Sequence, residues 1–205
     1  MTKRIAGAVK ALFTLVTGSL SASAQTASDF NTARALLDRA STMQCQLHDG
    51  NSVAAMPMSA AGLYGSFNVR FGNADYVEGM GYRTFLDLDH LVGASPQLQA
   101  FIVEPENAHH CLGHTYEAYD KGFITQDRHH AHERAADCEA IRNIALTDGY
   151  RGRETVSAIF DELAQVNEQI IADLPIAAAE REALLSALPQ RSADRRADGL
   201  SCPIY

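Results

Sequence analysis

Histidine is concentrated in one part of the sequence. Six of the eight histidines fall within a stretch of 24 residues. They are His109, His110, His114, His129, His130 and His132. Imidazole is the commonest protein ligand of transition metals, and it also exchanges protons near neutral pH. The chemistry open to this stretch is metal binding, acid–base catalysis or a response to pH, and the choice depends on which side chains converge.

Helix signals enclose the histidines in two segments. Pro105 suits the first turn of a helix, and Gly122 suits the position after its last turn. Thr125 suits the N-cap of a following helix, which Asp148 and Gly149 end. The sequence therefore predicts a helical hairpin that carries three of the histidines on each helix.

The direction of the side chains follows if Cys111 on the first helix faces Cys138 on the second. Each residue turns a helix by about 100°, so this pairing fixes the orientation of every other side chain. One flank of the hairpin then carries His110, His114, His130, Glu133 and Asp137. The other three histidines of the stretch are expected to point away from this flank.

The flank offers ligands for a divalent metal ion. His110 and His114 are four residues apart on one predicted helix, so both imidazoles can reach the same ion. His130, with Glu133 or Asp137, would complete a tetrahedral or five-coordinate site. His130 and Asp137 lie about 10 Å apart along their helix, so the five side chains cannot all bind one ion. Imidazole with carboxylate suits zinc and, less distinctively, copper.

Two other functions stay open. A water molecule in the fourth position would suit a metal-dependent hydrolase, because the ion lowers the pKa of that water toward about 7. Alternatively, the histidines are a solvated polar face, and the protein is a non-enzymatic module that binds an unknown protein partner. Arg134 is expected on the same flank, where it would repel a cation. The sequence has no His-Glu-x-x-His motif, and we assign no enzyme activity from it.

The first 24 residues are organised like a secretory signal peptide. Three basic side chains lie in the first ten residues, an apolar segment covers residues 11–20, and residues 22–24 are small. This pattern predicts cleavage before Gln25, a periplasmic or secreted location, and a single mature domain over residues 25–205. The apolar segment is about half as long as a transmembrane helix, so no membrane insertion is expected after cleavage.

Four cysteines remain in the predicted mature chain, at positions 45, 111, 138 and 202. An even number of cysteines in an exported protein predicts two disulfides, and three pairings are possible. The helical hairpin favours Cys111 with Cys138, which leaves Cys45 with Cys202. Cys-x-x-Cys does not occur, so a zinc site built on these cysteines is not expected.

The charge of the chain limits its partners. The net charge is −8, and three of the 17 basic residues precede Gln25, so the predicted mature chain carries −11. A strongly negative protein is not expected to bind nucleic acid or anionic lipid. With 46% hydrophobic residues, the chain has enough apolar side chains for a core of ordinary size.

The pattern outside the hairpin is mainly helical. Apolar spacing predicts a first helix over residues 29–44 and a long helix from Val156 to a break at Pro175. A last helix is expected to end before Pro189, so that a polar tail reaches Cys202.

Residues 46–104 contain the alternating apolar runs 67–71 and 98–102, which indicate strands. The predicted class is α+β and mainly α-helical. It combines the helical hairpin and two further helices with an N-terminal helix, a small irregular or antiparallel β region and two disulfides.

Overall fold

A computed structural model describes the chain over residues 27–43, 45–48, 50–59, 71–149 and 152–203. The predicted signal peptide of residues 1–24 and most of the predicted strand at 67–71 lie outside the described residues. None of the helices in these ranges combines the length and the apolar character that crossing a membrane requires.

The fold is mainly α-helical with one small sheet, as predicted. The helices in the described ranges are α1 (Ala27–Ser41), α2 (Leu88–Leu91), α3 (Pro96–Cys111), α4 (His114–Lys121), α5 (Gln126–Thr147), α6 (Arg153–Asp173) and α7 (Ala178–Ser201). The strands are β1 (Ala54–Pro57), β2 (Gly72–Val77) and β3 (Gly81–Leu86).

The sheet has the order β1-β3-β2, so β3 is its central strand. β3 pairs antiparallel with β2 and parallel with β1, which makes the sheet mixed and not purely antiparallel. Alternate residues of β3, Tyr82, Thr84 and Leu86, are fully buried. This face of the sheet packs on the helices and supplies one wall of the core.

Helix α3 lies at the centre of the molecule, and its most extensive packing is with α5. Its first half includes residues 98–102, for which a strand was predicted, and this prediction is wrong. Ser95 caps the helix by accepting the backbone N–H of Leu98. Four consecutive apolar residues, Ala100, Phe101, Ile102 and Val103, are all buried. Because they lie about 100° apart around the axis, apolar residues occur on every side of the helix, and the period of 3.6 residues is lost from the sequence.

The predicted first helix of the hairpin, from Pro105 to Gly122, consists of two helices. α3 begins before it, at Pro96, and runs through Pro105 to Cys111. Gly113 then has a φ of 75°, a left-handed conformation that glycine adopts without strain, and α4 begins at His114. His110 and His114 therefore belong to different helices, and the four-residue spacing does not bring them to one face.

Helix α7 continues through Pro189, where the sequence predicted an end. A proline inside a helix removes one backbone hydrogen bond and costs about 3 kcal/mol, so packing on both sides must offset it. Leu184 before the proline is buried, and so is Gly199 after it. A Cβ atom on Gly199 would lie 2.3 Å from the ring of Phe160, which shows how closely this end of α7 approaches α6.

The disulfides are Cys45–Cys111 and Cys138–Cys202, with Cα–Cα distances of 5.6 Å and 5.2 Å. All four cysteines are paired, but the predicted pairing of Cys111 with Cys138 and of Cys45 with Cys202 is wrong. Cys111 is the last residue of α3, beside the segment that follows α1, and Cys138 on α5 meets the end of α7. The bonds therefore attach neighbouring parts of the chain to the hairpin and do not close the hairpin itself.

Candidate histidine site

Four of the six clustered histidines line one cavity of about 270 Å³. α3 contributes His109, α4 contributes His114, and α5 contributes His129, His132 and Glu133. We call this space the histidine cavity. Its walls also include backbone and side chains of β2, Asn167 of α6 and Arg195 of α7.

Of the five predicted metal ligands, His114 and Glu133 line this cavity, and His110, His130 and Asp137 do not. The histidines that were expected to point away, His109, His129 and His132, line it instead. The predicted angles were measured from Cys111 and Cys138 as facing residues on two unbroken helices. Both premises fail, because the disulfides pair differently and because the chain turns at Gly113.

His110 lies near the end of α3, and its side chain is buried in the core. Its Nε2 lies 3.1 Å from Thr84 Oγ1 and its Nδ1 lies 3.2 Å from Thr115 Oγ1, so both ring nitrogens have a hydroxyl partner. The ring also meets Tyr82 edge-on. Burial lowers the pKa of His110 to about 4, so this imidazole is neutral at pH 7. Its contacts are those of a side chain that joins α3 to β3 and α4.

Asp137 and His130 also have surroundings of their own. The carboxylate of Asp137 accepts two hydrogen bonds from Arg195, from Nε at 2.7 Å and from Nη2 at 2.6 Å. Such a bidentate pair occupies both carboxylate oxygens. His130 is exposed to solvent on α5, and its nearest described ring contact is His129, with 6.3 Å between the ring centroids.

Glu133 lies between two imidazoles. Its Oε1 is 3.6 Å from His109 Nε2 and 3.7 Å from His129 Nδ1. Both distances exceed the usual range of a hydrogen bond, which ends near 3.2 Å. His129 and Glu133 are four residues apart on α5, so they share a helix face. This His-x-x-x-Glu spacing is visible in the sequence and needs no assumption about the disulfides.

A second contact orients the ring of His109. Its Nδ1 lies 3.1 Å from His114 Nδ1, so one of these nitrogens donates a hydrogen bond to the other. The ring of His114 in turn stacks on His132, with centroids 3.9 Å apart and planes within 5° of parallel. His132 Nε2 is 3.2 Å from an oxygen of Glu117. These contacts fix the orientations of the three rings, and Nε2 of His109 faces Glu133.

Three histidines of the cavity, His109, His114 and His132, have lowered pKa values and are uncharged at neutral pH. Burial lowers the pKa of His109 to about 3, a value that includes the opposing attraction of Asp137 and the repulsion of neighbouring histidines. Burial and the nearby His109 lower the pKa of His114 to about 3 as well. Burial also lowers the pKa of His132. A neutral imidazole has a lone pair on one ring nitrogen, and this is the form that binds a metal ion.

The charges on the cavity wall favour a cation. Two carboxylates line it, Glu106 and Glu133, together with the guanidinium of Arg195. Asp137 already neutralises Arg195 through two hydrogen bonds. With Arg195 neutralised in this way, the carboxylate of Glu133 attracts a cation to its part of the wall.

Comparison with known protein families, with curated proteins and with solved structures found no match. As the side chains stand, no group of three or more histidine, cysteine, aspartate or glutamate side chains in the described ranges is spaced to hold a metal ion. A metal site around Glu133 therefore requires side-chain rotation to bring three donors to one point.

Proposed function

We propose that the protein binds a divalent transition metal ion through His109, His129 and Glu133 in the histidine cavity. The observation that carries this proposal is the position of Glu133 Oε1, 3.6 Å from His109 Nε2 and 3.7 Å from His129 Nδ1. Two donors bound tetrahedrally at about 2.1 Å lie roughly 3.4 Å apart. These two separations exceed this value by only a few tenths of an ångström, and binding also requires the two imidazole nitrogens to rotate toward one point.

A direct ion pair does not account well for the separation between His109 and Glu133. An ion pair between His109 and Glu133 needs a protonated imidazole, and the lowered pKa of His109 keeps it neutral at pH 7. A hydrogen bond needs a shorter distance than either of the two observed. A shared cation satisfies the carboxylate and both imidazole lone pairs at once.

The contact between His109 and His114 supports the same proposal. Metal-bound histidines usually donate the N–H of their other ring nitrogen to a neighbouring group, which fixes the ring and its tautomer. His114 Nδ1, 3.1 Å from His109 Nδ1, accepts that hydrogen bond in the proposed site. His114 is then a positioning residue and not a ligand, although the sequence predicted it as one.

Two imidazoles and a carboxylate form a ligand set that suits zinc and, less distinctively, copper. Three protein ligands leave a fourth position of a tetrahedral ion facing the cavity, where water or another small ligand can bind. Catalytic zinc sites share this feature, so hydrolysis is the activity to assay once metal binding has been measured.

Metal binding can be tested on the chain from Gln25 onward, stripped with a chelator and titrated with Zn²⁺ in a calorimeter. We expect binding of one ion per chain. His109→Ala, His129→Ala and Glu133→Gln should each weaken it by about 100-fold or more, because losing even an outer-shell partner costs about 10- to 100-fold. His114→Ala should have a smaller effect, of about tenfold.

His130→Ala provides the matched control for this titration. It removes an exposed histidine next to His129 on the same helix and should leave the zinc affinity unchanged. The proposal fails if the unaltered protein binds no zinc, or if the His130 variant loses as much affinity as the His129 variant. A loss confined to His110→Ala and His114→Ala would instead support the ligands predicted from the sequence.

We also propose that the protein is exported and acts as a single mature domain of residues 25–205. The basic, apolar and small-residue segments before Gln25 support export, and so do the two disulfides, which persist in oxidising compartments. Mass spectrometry of the protein from its native cells should find Gln25 at the N-terminus, in a periplasmic or secreted fraction. An intact Met1 in the cytoplasmic fraction would contradict this proposal.

A further inference from the structure

A second cavity, of about 160 Å³, lies between α6 and α7. Most of its wall is apolar and consists of Phe160, Leu163, Ile171, Leu184 and Leu188. Polar side chains, among them Asn167, Ser192 and Arg195, also line it. We call it the leucine cavity. It shares Asn167 and Arg195 with the histidine cavity, so the two spaces adjoin.

Arg195 is held in place before any ligand arrives. Its Nε and Nη2 donate to the buried carboxylate of Asp137, and its guanidinium carbon lies 5.5 Å from the centre of the Phe101 ring. Neither hydrogen bond uses Nη1, so its two N–H groups are left to donate to a ligand. A guanidinium fixed in this way is well suited to recognise a carboxylate.

Asn167 brings an acceptor to the same wall. Its Oδ1 is fully buried and has no hydrogen-bond partner within the described residues. A buried amide oxygen is stable only when a donor reaches it. A ligand that also presents an N–H or O–H close to its carboxylate would supply that donor.

We propose that the leucine cavity binds a small aliphatic acid that carries a hydrogen-bond donor on the carbon next to its carboxylate, as α-amino and α-hydroxy acids do. The carboxylate accepts hydrogen bonds from Arg195 Nη1 and from the hydroxyl of Ser192. The neighbouring amino or hydroxyl group donates to Asn167 Oδ1. The aliphatic side chain lies among the leucines.

The size of the cavity limits the ligand. A volume of 160 Å³ holds roughly five groups of the size of a water molecule. A branched side chain of four carbons takes up most of this space, so a long acyl chain does not fit. The carboxylate and the amino or hydroxyl group then lie near Asn167 and Arg195, where the leucine cavity adjoins the histidine cavity. The inference does not depend on the proposed metal site, because no metal ligand lines the leucine cavity.

Four probes of similar shape test which groups the cavity recognises. They are L-leucine, 2-hydroxy-4-methylpentanoate, 4-methylpentanoate and 3-methylbutylamine, each titrated into the mature chain by NMR or calorimetry with a chelator present. We expect the first two to bind. The third lacks the donor and should bind about tenfold more weakly, and the fourth lacks the carboxylate and should not bind.

Asn167→Leu tests the assigned acceptor in a folded protein. This variant should lose the tenfold preference for L-leucine or its hydroxy analogue over 4-methylpentanoate, while Gln169→Leu, an exposed change on the same helix, should keep it. Leu188→Trp fills the cavity and should weaken all acids alike. The inference is overturned if neither the amino nor the hydroxy acid binds at millimolar concentration, or if the preference is the same in the Asn167 and Gln169 variants.

Discussion

Replacing Cys138 and Cys202 by alanine should lower the free energy of unfolding by about 4 kcal/mol. The bond joins residues that are 64 positions apart, and closing a loop of that length restricts the unfolded chain strongly. Domains are usually stable by about 5–15 kcal/mol, so this bond accounts for a large part of the total. Urea unfolding of the variant and the oxidised parent, followed by circular dichroism, measures the difference.

The other disulfide provides a control with nearly the same loop length. Cys45 and Cys111 are 66 positions apart, so Cys45→Ala with Cys111→Ala should cost a similar amount if loop closure dominates. Peptide mapping without reduction should recover Cys45 with Cys111 and Cys138 with Cys202. A peptide that links Cys111 to Cys138 would contradict the structure and restore the hairpin bond that the sequence favoured.

The sequence predicted that the cysteines pair, but it could not predict how. Four cysteines allow three pairings, and only the packing of distant segments chooses among them. The choice depends on the turn at Gly113 and on α7, which runs past Pro189 as far as the neighbourhood of Cys138. Neither the length of α7 nor the position of the turn is set by local apolar spacing.

Helices with one exposed face were predicted well. α5 and α6 follow the expected bounds closely, because polar and apolar residues alternate along them with the helical period. α3 was missed over its first half because it is buried on all sides. Because α3 is held by packing on all sides, it fixes the position of His109. The helix that the sequence predicted least well therefore positions a central residue of the candidate site.

The lining of the histidine cavity was predicted only in part, for a similar reason. Composition located the stretch, and the predicted flank included Glu133 and His114. The relation between His129 and Glu133 is local, since both lie on α5, and their spacing alone could have identified them. The short distance between His109 and Glu133 depends on how α3 packs against α5. The spacing of residues within one helix does not determine how that helix packs against another.

The ion pair between Asp137 and Arg195 connects the predicted site with both cavities. Asp137 was predicted as a metal ligand because it lies on α5 among the histidines. In the fold it holds Arg195, which lines the histidine cavity and the leucine cavity alike. The carboxylate therefore acts through another residue, because it fixes a guanidinium that lines both cavities.

Arg195→Met should lower the free energy of unfolding by about 3–5 kcal/mol, the usual cost of leaving one partner of a buried ion pair unpaired. The side chain of Asp137 is only 6% exposed, so water cannot replace the lost guanidinium. Asp137→Asn should cost less, because Arg195 is 38% exposed and can be hydrated in part. Urea unfolding of both variants at neutral pH measures this asymmetry.

Two further variants show whether the stability lost in Arg195→Met comes from the unpaired buried carboxylate or from lost packing. Arg196→Met removes the neighbouring arginine from an exposed pair with Asp161 and should cost at most about 1 kcal/mol. Asp137→Leu combined with Arg195→Met leaves no buried charge, and it should recover most of the stability that Arg195→Met loses. If the double variant is as unstable as Arg195→Met alone, the loss comes from the packing of Arg195 on Phe101 and not from the unpaired carboxylate.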